Sequence, residues 1–216
     1  MVTFKRLLIL PGVIVILASA AFAQTGGAIT VTGANPESFS LTNTSEGTLS
    51  STIALGSLTP GNTNTLTTGT ADVRLRSNKA YKLTAQATAL NITGGAAADG
   101  GDTIALSDIG FGITSITLTG ANVANNGART DAIGAGFDVT GGWPAAANGL
   151  SPTFTASLNE VTSATQVLSG TRISKKGNLA TTDNYITVTF GVATLPQFFT
   201  PNTGFSSVIT LTIASQ

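Results

Sequence analysis

Cysteine and histidine are both absent from the 216 residues. Without thiols the chain forms no disulfide and offers no site for lipid attachment through sulfur. Without imidazole it lacks the one side chain whose ordinary pKa lies near neutrality. Zinc and copper sites lose their usual ligands, and Ser-His-acid and Cys-His nucleophilic arrangements lose their bases. Charge is scarce too: Lys and Arg number 10, Asp and Glu number 10, and together they make 9% of the chain, against roughly a quarter in an ordinary soluble domain. Aromatic residues are few, with one Trp and two Tyr. The 42% hydrophobic content is nonetheless far from that of a disordered chain. These gaps favour a structural or adhesive protein over an enzyme, and no cofactor is expected. Paired carboxylates, the remaining route to hydrolysis, are scattered along the sequence.

What is present in abundance is glycine, 25 residues, and threonine, 37. Threonine's branched side chain suits a pleated strand while its hydroxyl stays hydrated, so it supplies β preference and solubility without charge. Helical patterning is almost missing. Alternation of period two dominates instead. Ile186, Val188, Phe190 and Val192 oppose Tyr185, Thr187, Thr189 and Gly191. Ala71, Val73 and Leu75 oppose Asp72, Arg74 and Arg76, and after the turn-forming Ser77-Asn78-Lys79 the residues Tyr81, Leu83, Ala85 and Ala87 oppose Lys82, Thr84, Gln86 and Thr88. The two runs read as one hairpin. Ile209, Leu211 and Ile213 alternate with Val208, Thr210 and Thr212. Further strands are expected at residues 28–32, 38–41, 49–55, 113–118, 153–158 and 167–173, and one near residues 137–140 within a loop-rich stretch. The expected fold is all-β: a single antiparallel β-sandwich of about 8–10 strands, immunoglobulin-like or pilin-like. A transmembrane β-barrel fits less well, because aromatic residues are too few for its girdles and the outward positions of the best strands are Thr, Lys and Arg.

The first residues read as an address. Lys5 and Arg6 precede an apolar stretch, residues 7–17, which is interrupted by Pro11-Gly12 and followed by Ala21-Phe22-Ala23. That is the layout of a secretory signal peptide over residues 1–23, and the run falls short of the ~20 residues that span a bilayer. Residues 24–216 form the expected domain, with eight basic and ten acidic residues and no membrane span. The expected location is secreted, extracellular or on the cell surface, with periplasmic transit in a Gram-negative cell.

Several residues are candidates for contact with a partner. Arg74, Arg76 and Lys82 would share one outer face of the proposed hairpin, as a basic patch for an acidic surface or as charges guarding a sheet edge. Net charge and the lack of interleaved aromatics argue against nucleic acid. Trp143, the sole indole, either stacks on a sugar ring or plugs an apolar hole. The Phe198-Phe199 pair is a second apolar loop tip. Asp99, Asp102 and Asp108 form the densest acidic group, read first as turn chemistry and second as a calcium site. Asn43-Thr44-Ser45 and Asn91-Ile92-Thr93 match the short glycosylation triplet and are read as coincidence. Residues 26–32, uncharged and alternating with Ile29 and Val31 on one side, serve either as the first strand of their own domain or as a strand donated to a neighbour.

The run Leu55-Gly56-Ser57-Leu58-Thr59-Pro60-Gly61, followed by Val73-Arg74-Leu75-Arg76-Ser77-Asn78, Tyr81-Lys82-Leu83-Thr84 and the terminal Gly204-Phe205-Ser206-Ser207-Val208-Ile209-Thr210-Leu211-Thr212-Ile213, resembles bacterial surface β-sandwich proteins of the fimbrial and spore-coat-U type. The resemblance covers about a third of the chain beyond residue 23. It implies an immunoglobulin-like sandwich, export, and polymerisation into a surface filament by strand exchange, with self-association or other surface proteins as partners. The alternative is a secreted β-sandwich module that binds a glycan or a surface partner through Trp143 and the loop tips.

Overall fold

The computed structural model describes residues 30–61, 64–95, 102–119, 130–145, 152–173 and 185–216. The proposed signal peptide, Ile29 and Asp99 lie outside the described residues. Residues up to Pro36 and the remainder from Glu37 are separate compact units. Of the first, residues 30–36 carry no regular secondary structure and are exposed throughout.

Among the described residues the second unit holds ten strands: β1 (Phe39–Thr42), β2 (Thr67–Ser77), β3 (Tyr81–Ala87), β4 (Asn91–Thr93), β5 (Gly110–Thr119), β6 (Asp131–Ile133), β7 (Thr165–Gly170), β8 (Tyr185–Thr194), β9 (Gly204–Ser206) and β10 (Ile209–Ser215). Helix is confined, among the described residues, to two short 3-10 turns, Leu106–Asp108 and Leu158–Val161. Every pairing between these ten strands is antiparallel, as expected for the fold class. One four-stranded sheet has the order β1-β2-β8-β5, a second the order β10-β3-β7-β6, and β4 pairs with β9.

Period-two burial follows from the side-chain chemistry. In β2, Val73, Leu75 and Ser77 are buried, while Arg74 and Arg76 lie on the opposite face. In β3 the buried row is Tyr81, Leu83, Ala85 and Ala87. These rows join Phe111, Ile113, Val167, Leu168, Ile186 and Val188 in one hydrophobic cluster fed by both four-stranded sheets. Phe111 stacks on Phe190 with ring centres 5.7 Å apart and meets Phe137 edge-on at 6.1 Å. Ile209, Leu211 and Ile213 of β10 are half-buried against the same cluster.

The expected hairpin of residues 71–87 does not form: β2 and β3 belong to different sheets. Residues 78–80 make a corner. The Ser77 hydroxyl, buried with its residue 1% exposed, donates to the Lys79 carbonyl and accepts from the Lys79 N–H at 3.1 Å. Asn78 binds outward, its Oδ1 accepting from the Ser38 N–H at 2.8 Å. With Ser77 and Tyr81 both turned inward at either end, the chain crosses from one layer of pairing to another instead of folding back on itself. Other differences have local causes. Residues 49–55 form no strand; they run as a loop whose Ile53 methyl covers Gly69 and whose Leu49, Ile53 and Leu55 pack against the cluster. Residues 153–158 bend into the Leu158–Val161 turn, where the Ser157 side chain accepts from the Asn159 N–H at 3.2 Å and the Glu160 carboxylate accepts from the Ser157 N–H at 2.6 Å. Residues 137–140 make only an isolated bridge at Asp138 to Ile113, and the strand of that region is β6. Residues 30–32 are not a strand.

Candidate functional site

The side of β2 that faces away from the hydrophobic cluster is a polar row: Thr68, Thr70, Asp72, Arg74 and Arg76. β8 lies beside it in a register that sets Arg74 opposite Thr187 and Asp72 opposite Thr189. The basic residues are held by two groups, a carboxylate and an aromatic ring. Arg74 Nη1 and Arg76 Nη2 both reach Glu46 Oε1, at 3.3 and 3.0 Å. Both guanidiniums also lie over the Tyr185 ring, 4.3 and 5.6 Å from its centre. Tyr185, on the polar side of the sequence alternation, is thereby buried to 8% exposure. The cations replace the water that its ring face would otherwise meet, which is why a residue in an outward row is shielded.

Glu46 reaches the two arginines because of the turn that carries it. The Asn43 side chain accepts from the N–H groups of Ser45 and Gly47, each at 2.9 Å, and its Nδ2 donates to the Thr48 carbonyl at 3.2 Å. Glu46 itself has φ +65°, a left-handed conformation that is uncommon outside glycine and that swings its side chain back toward β2. The Asn43 amide thus shapes the turn through three hydrogen bonds. Beside this turn, residues 43–45, Ser50 and Ser51 form one wall and residues 70–72 of β2 the other of an open groove of about 350 Å³. The groove is lined by hydroxyls, amides and one carboxylate.

Across the same face a chain of hydroxyls links three strands. Ser115 Oγ of β5 donates to Thr189 Oγ1 of β8 at 2.9 Å, and Thr189 Oγ1 donates to Asp72 Oδ1 of β2 at 2.7 Å. Asp72 is therefore an acceptor whose partner is already in place.

The remaining expected site residues disperse. Lys82 projects from β3 in the other sheet, so it does not share a face with Arg74 and Arg76; the corner at residues 78–80 separates them. Trp143 is half-buried, edge-on to Phe154 with ring centres 5.9 Å apart and planes at 86°. Its Cζ2 lies over Gly191, where an added Cβ would approach to 3.1 Å, and Phe154 similarly covers Gly110. The indole fills the hole left by glycine on β8. Phe198 is 91% exposed while Phe199 packs against the cluster. Asp108 Oδ2 accepts from the Ala105 N–H at 2.8 Å, capping its own turn, and among the described residues no group of three or more Asp and Glu gathers as a metal site would require. Val31 is 91% exposed.

Sequence reasoning missed Tyr185 and Glu46 as partners of the arginines. The signal for Tyr185 was an aromatic in an otherwise hydroxyl row; Glu46 had none, since its role depends on a turn 28 residues before Arg74.

No protein-family model, curated protein or solved structure matches this chain. No helix among the described residues is long and apolar enough to cross a membrane.

Proposed function

We propose that the protein is a non-catalytic structural subunit, exported and assembled into a bacterial cell-surface filament or extracellular matrix. The two four-stranded sheets are read as the layers of one immunoglobulin-like sandwich, since a single hydrophobic cluster draws on both. One observation carries the assembly reading: the segment before β1 is exposed at every described position from residue 30 to 38, holds no charged residue before Glu37, and leaves Val31 bare to solvent. An uncharged segment without regular structure and with an exposed branched apolar side chain gains main-chain hydrogen bonds and burial by joining another sheet. Scarce charge supports the same reading, because copies of the chain repel one another weakly.

The full chain is to be expressed with its own leader in an exporting bacterium, and the product purified from the cell surface or medium. N-terminal sequencing should find Gln24 first, and electron microscopy with size-exclusion chromatography should show filaments or large oligomers that vanish when residues 24–36 are deleted. A monodisperse monomer at high concentration, or a chain retained unprocessed in the cytosol, defeats the proposal.

A further inference from the structure

β2 has 11 residues, yet β1 pairs only with its last four, Arg74 to Ser77. The chain leaves β2 after Thr42, turns at Asn43, and does not return to it as a strand. The direction of the main-chain groups on the uncovered part follows from the ladder. The Asn78 N–H donates to the Ser38 carbonyl at 3.1 Å, so Asn78 faces the β1 side; in an antiparallel pair this orientation recurs at every second residue. Arg76 and Arg74 therefore face β1, and Asp72, Thr70 and Thr68 present their N–H and C=O groups along the same side, where no strand of the described residues lies. Among the described residues no hydrogen bond joins the main chain of these three to the neighbouring loop. The loop touches the inner face of the strand through Ile53 and Ala54 at Gly69, but beside residues 70–72 its Ser50 and Ser51 are separated from the strand by the groove of about 350 Å³.

An open edge is normally guarded by Lys, Pro or a bulge. Thr68, Gly69, Thr70, Ala71 and Asp72 include none of these, their pairing to β8 is regular, and the one charge is occupied by Thr189. The edge of β5, by comparison, is capped: Ile113 exchanges main-chain hydrogen bonds with Phe137 and Val139 at 2.7 and 3.1 Å.

From this geometry we propose that residues 68–72 of β2 are an acceptor edge, and that the occupant is the segment around residues 30–34 of a second copy of the chain. The inference rests on the assembly reading above and names the site at which it acts. Five residues of edge span about 17 Å, the length of a five-residue strand. The segment offers Thr30, Val31, Thr32, Gly33 and Ala34, with no Pro before Pro36 to interrupt pairing and no charge to bring into a groove that contains Asp72. An incoming strand that continues the line of β1 beyond Thr42 lies antiparallel to β2 and uses the outward groups of Thr68, Thr70 and Asp72.

The absence of native cysteine makes a crosslinking test unambiguous. Thr70→Cys in one copy is mixed with Thr30→Cys, Val31→Cys or Thr32→Cys in a second copy of different tag length, assembled, and oxidised. The expected result is a disulfide-linked heterodimer whose yield alternates with period two along residues 30–32, well above that of a Thr212→Cys control on β10. As a second variant, Thr70→Pro removes an N–H that faces the groove and not β8, so it should keep the thermal unfolding of the parent and lose assembly. Filaments that form with no crosslink at Thr70, or with equal yield at all three positions and the control, overturn the acceptor edge while leaving the assembly reading intact. A disulfide within one chain of a Val31→Cys, Thr70→Cys double variant, in a protein that stays monomeric, overturns the second-copy occupant. Failure of the unaltered chain to assemble at all defeats the functional proposal itself.

Discussion

The guanidinium of Arg74 lies 4.3 Å from the centre of the Tyr185 ring while its Nη1 reaches Glu46 Oε1 at 3.3 Å, so one cation serves both an aromatic face and a carboxylate. Arg74 and Arg76 side chains are 20% and 13% exposed and Glu46 35%. The ring contact is the drier of the two interactions. Tyr185→Ala should therefore destabilise the protein by at least ~2 kcal/mol, from lost burial and the cation–π contacts together. Glu46→Gln should cost below ~1 kcal/mol and lose that effect in high salt. Urea unfolding of both variants at low and high salt measures the difference; an equal cost for the two would show that the carboxylate, and not the ring, anchors the arginines.

Gly112 pairs with Gly191 across β5 and β8, and a Cβ on Gly112 would come within 2.7 Å of the Phe137 carbonyl oxygen. That oxygen accepts from the Ile113 N–H and has no freedom to retreat. Gly112→Ala should lower stability by ~1–3 kcal/mol through overpacking. Gly33→Ala, with nothing within 4 Å, should leave thermal unfolding unchanged.

The Glu160 carboxyl combines partial burial, which raises its pKa, with hydrogen bonds from the Ser157 hydroxyl and N–H, which lower it; the bonds prevail and hold it below the ordinary glutamate range. A carboxylate with a depressed folded-state pKa contributes stability above its unfolded pKa and loses it as pH falls through the folded value. Glu160→Gln should thus be less stable than the parent at neutral pH and converge with it in the acid range, below the usual glutamate titration. Ser157→Ala should cost ~1 kcal/mol at neutral pH by removing the cap of the 3-10 turn. Chemical denaturation across pH provides the comparison, and a gap that persists unchanged in acid would refute the assignment.

Trp143 is the sole indole, so intrinsic fluorescence reports one place. Phe154→Ala removes the edge-on partner of that indole and should shift its emission to the red in the native state, with little change in far-ultraviolet circular dichroism. Simple sugars should leave the emission of the parent unaltered, because the ring is committed to Phe154 and Gly191. A saturable sugar-dependent shift would favour the glycan-binding alternative.

Much of the fold was legible because burial repeats every second residue. Val73 and Leu75, Leu83 and Ala85, and Ile186 and Val188 all fall on the buried side that alternation assigns. What alternation does not encode is which strand pairs with which. Residues 71–77 and 81–87 look like a hairpin because a polar trio separates them, and only the inward position of Ser77 distinguishes a corner from a turn. Residues 49–55 illustrate the converse: the apolar spacing is real, and Ile53 packs on bare Gly69, but no strand edge is offered to it. β4 and β9, three residues each, are too short for a period to appear. At the site, Arg74 and Arg76 were visible from composition, whereas their partners depend on contacts 28 or more residues away.

The corner between β2 and β3 also governs how the molecule comes apart. Only residues 78–80 separate the two strands, and the buried Ser77 and Tyr81 anchor them in separate sheets. Neither sheet can melt without dragging the other through this short tether, so denaturation should proceed as one concerted event. Among the described residues, a protease sampling the native ensemble would then meet cleavable backbone in exposed segments such as residues 30–36 before either sheet yields.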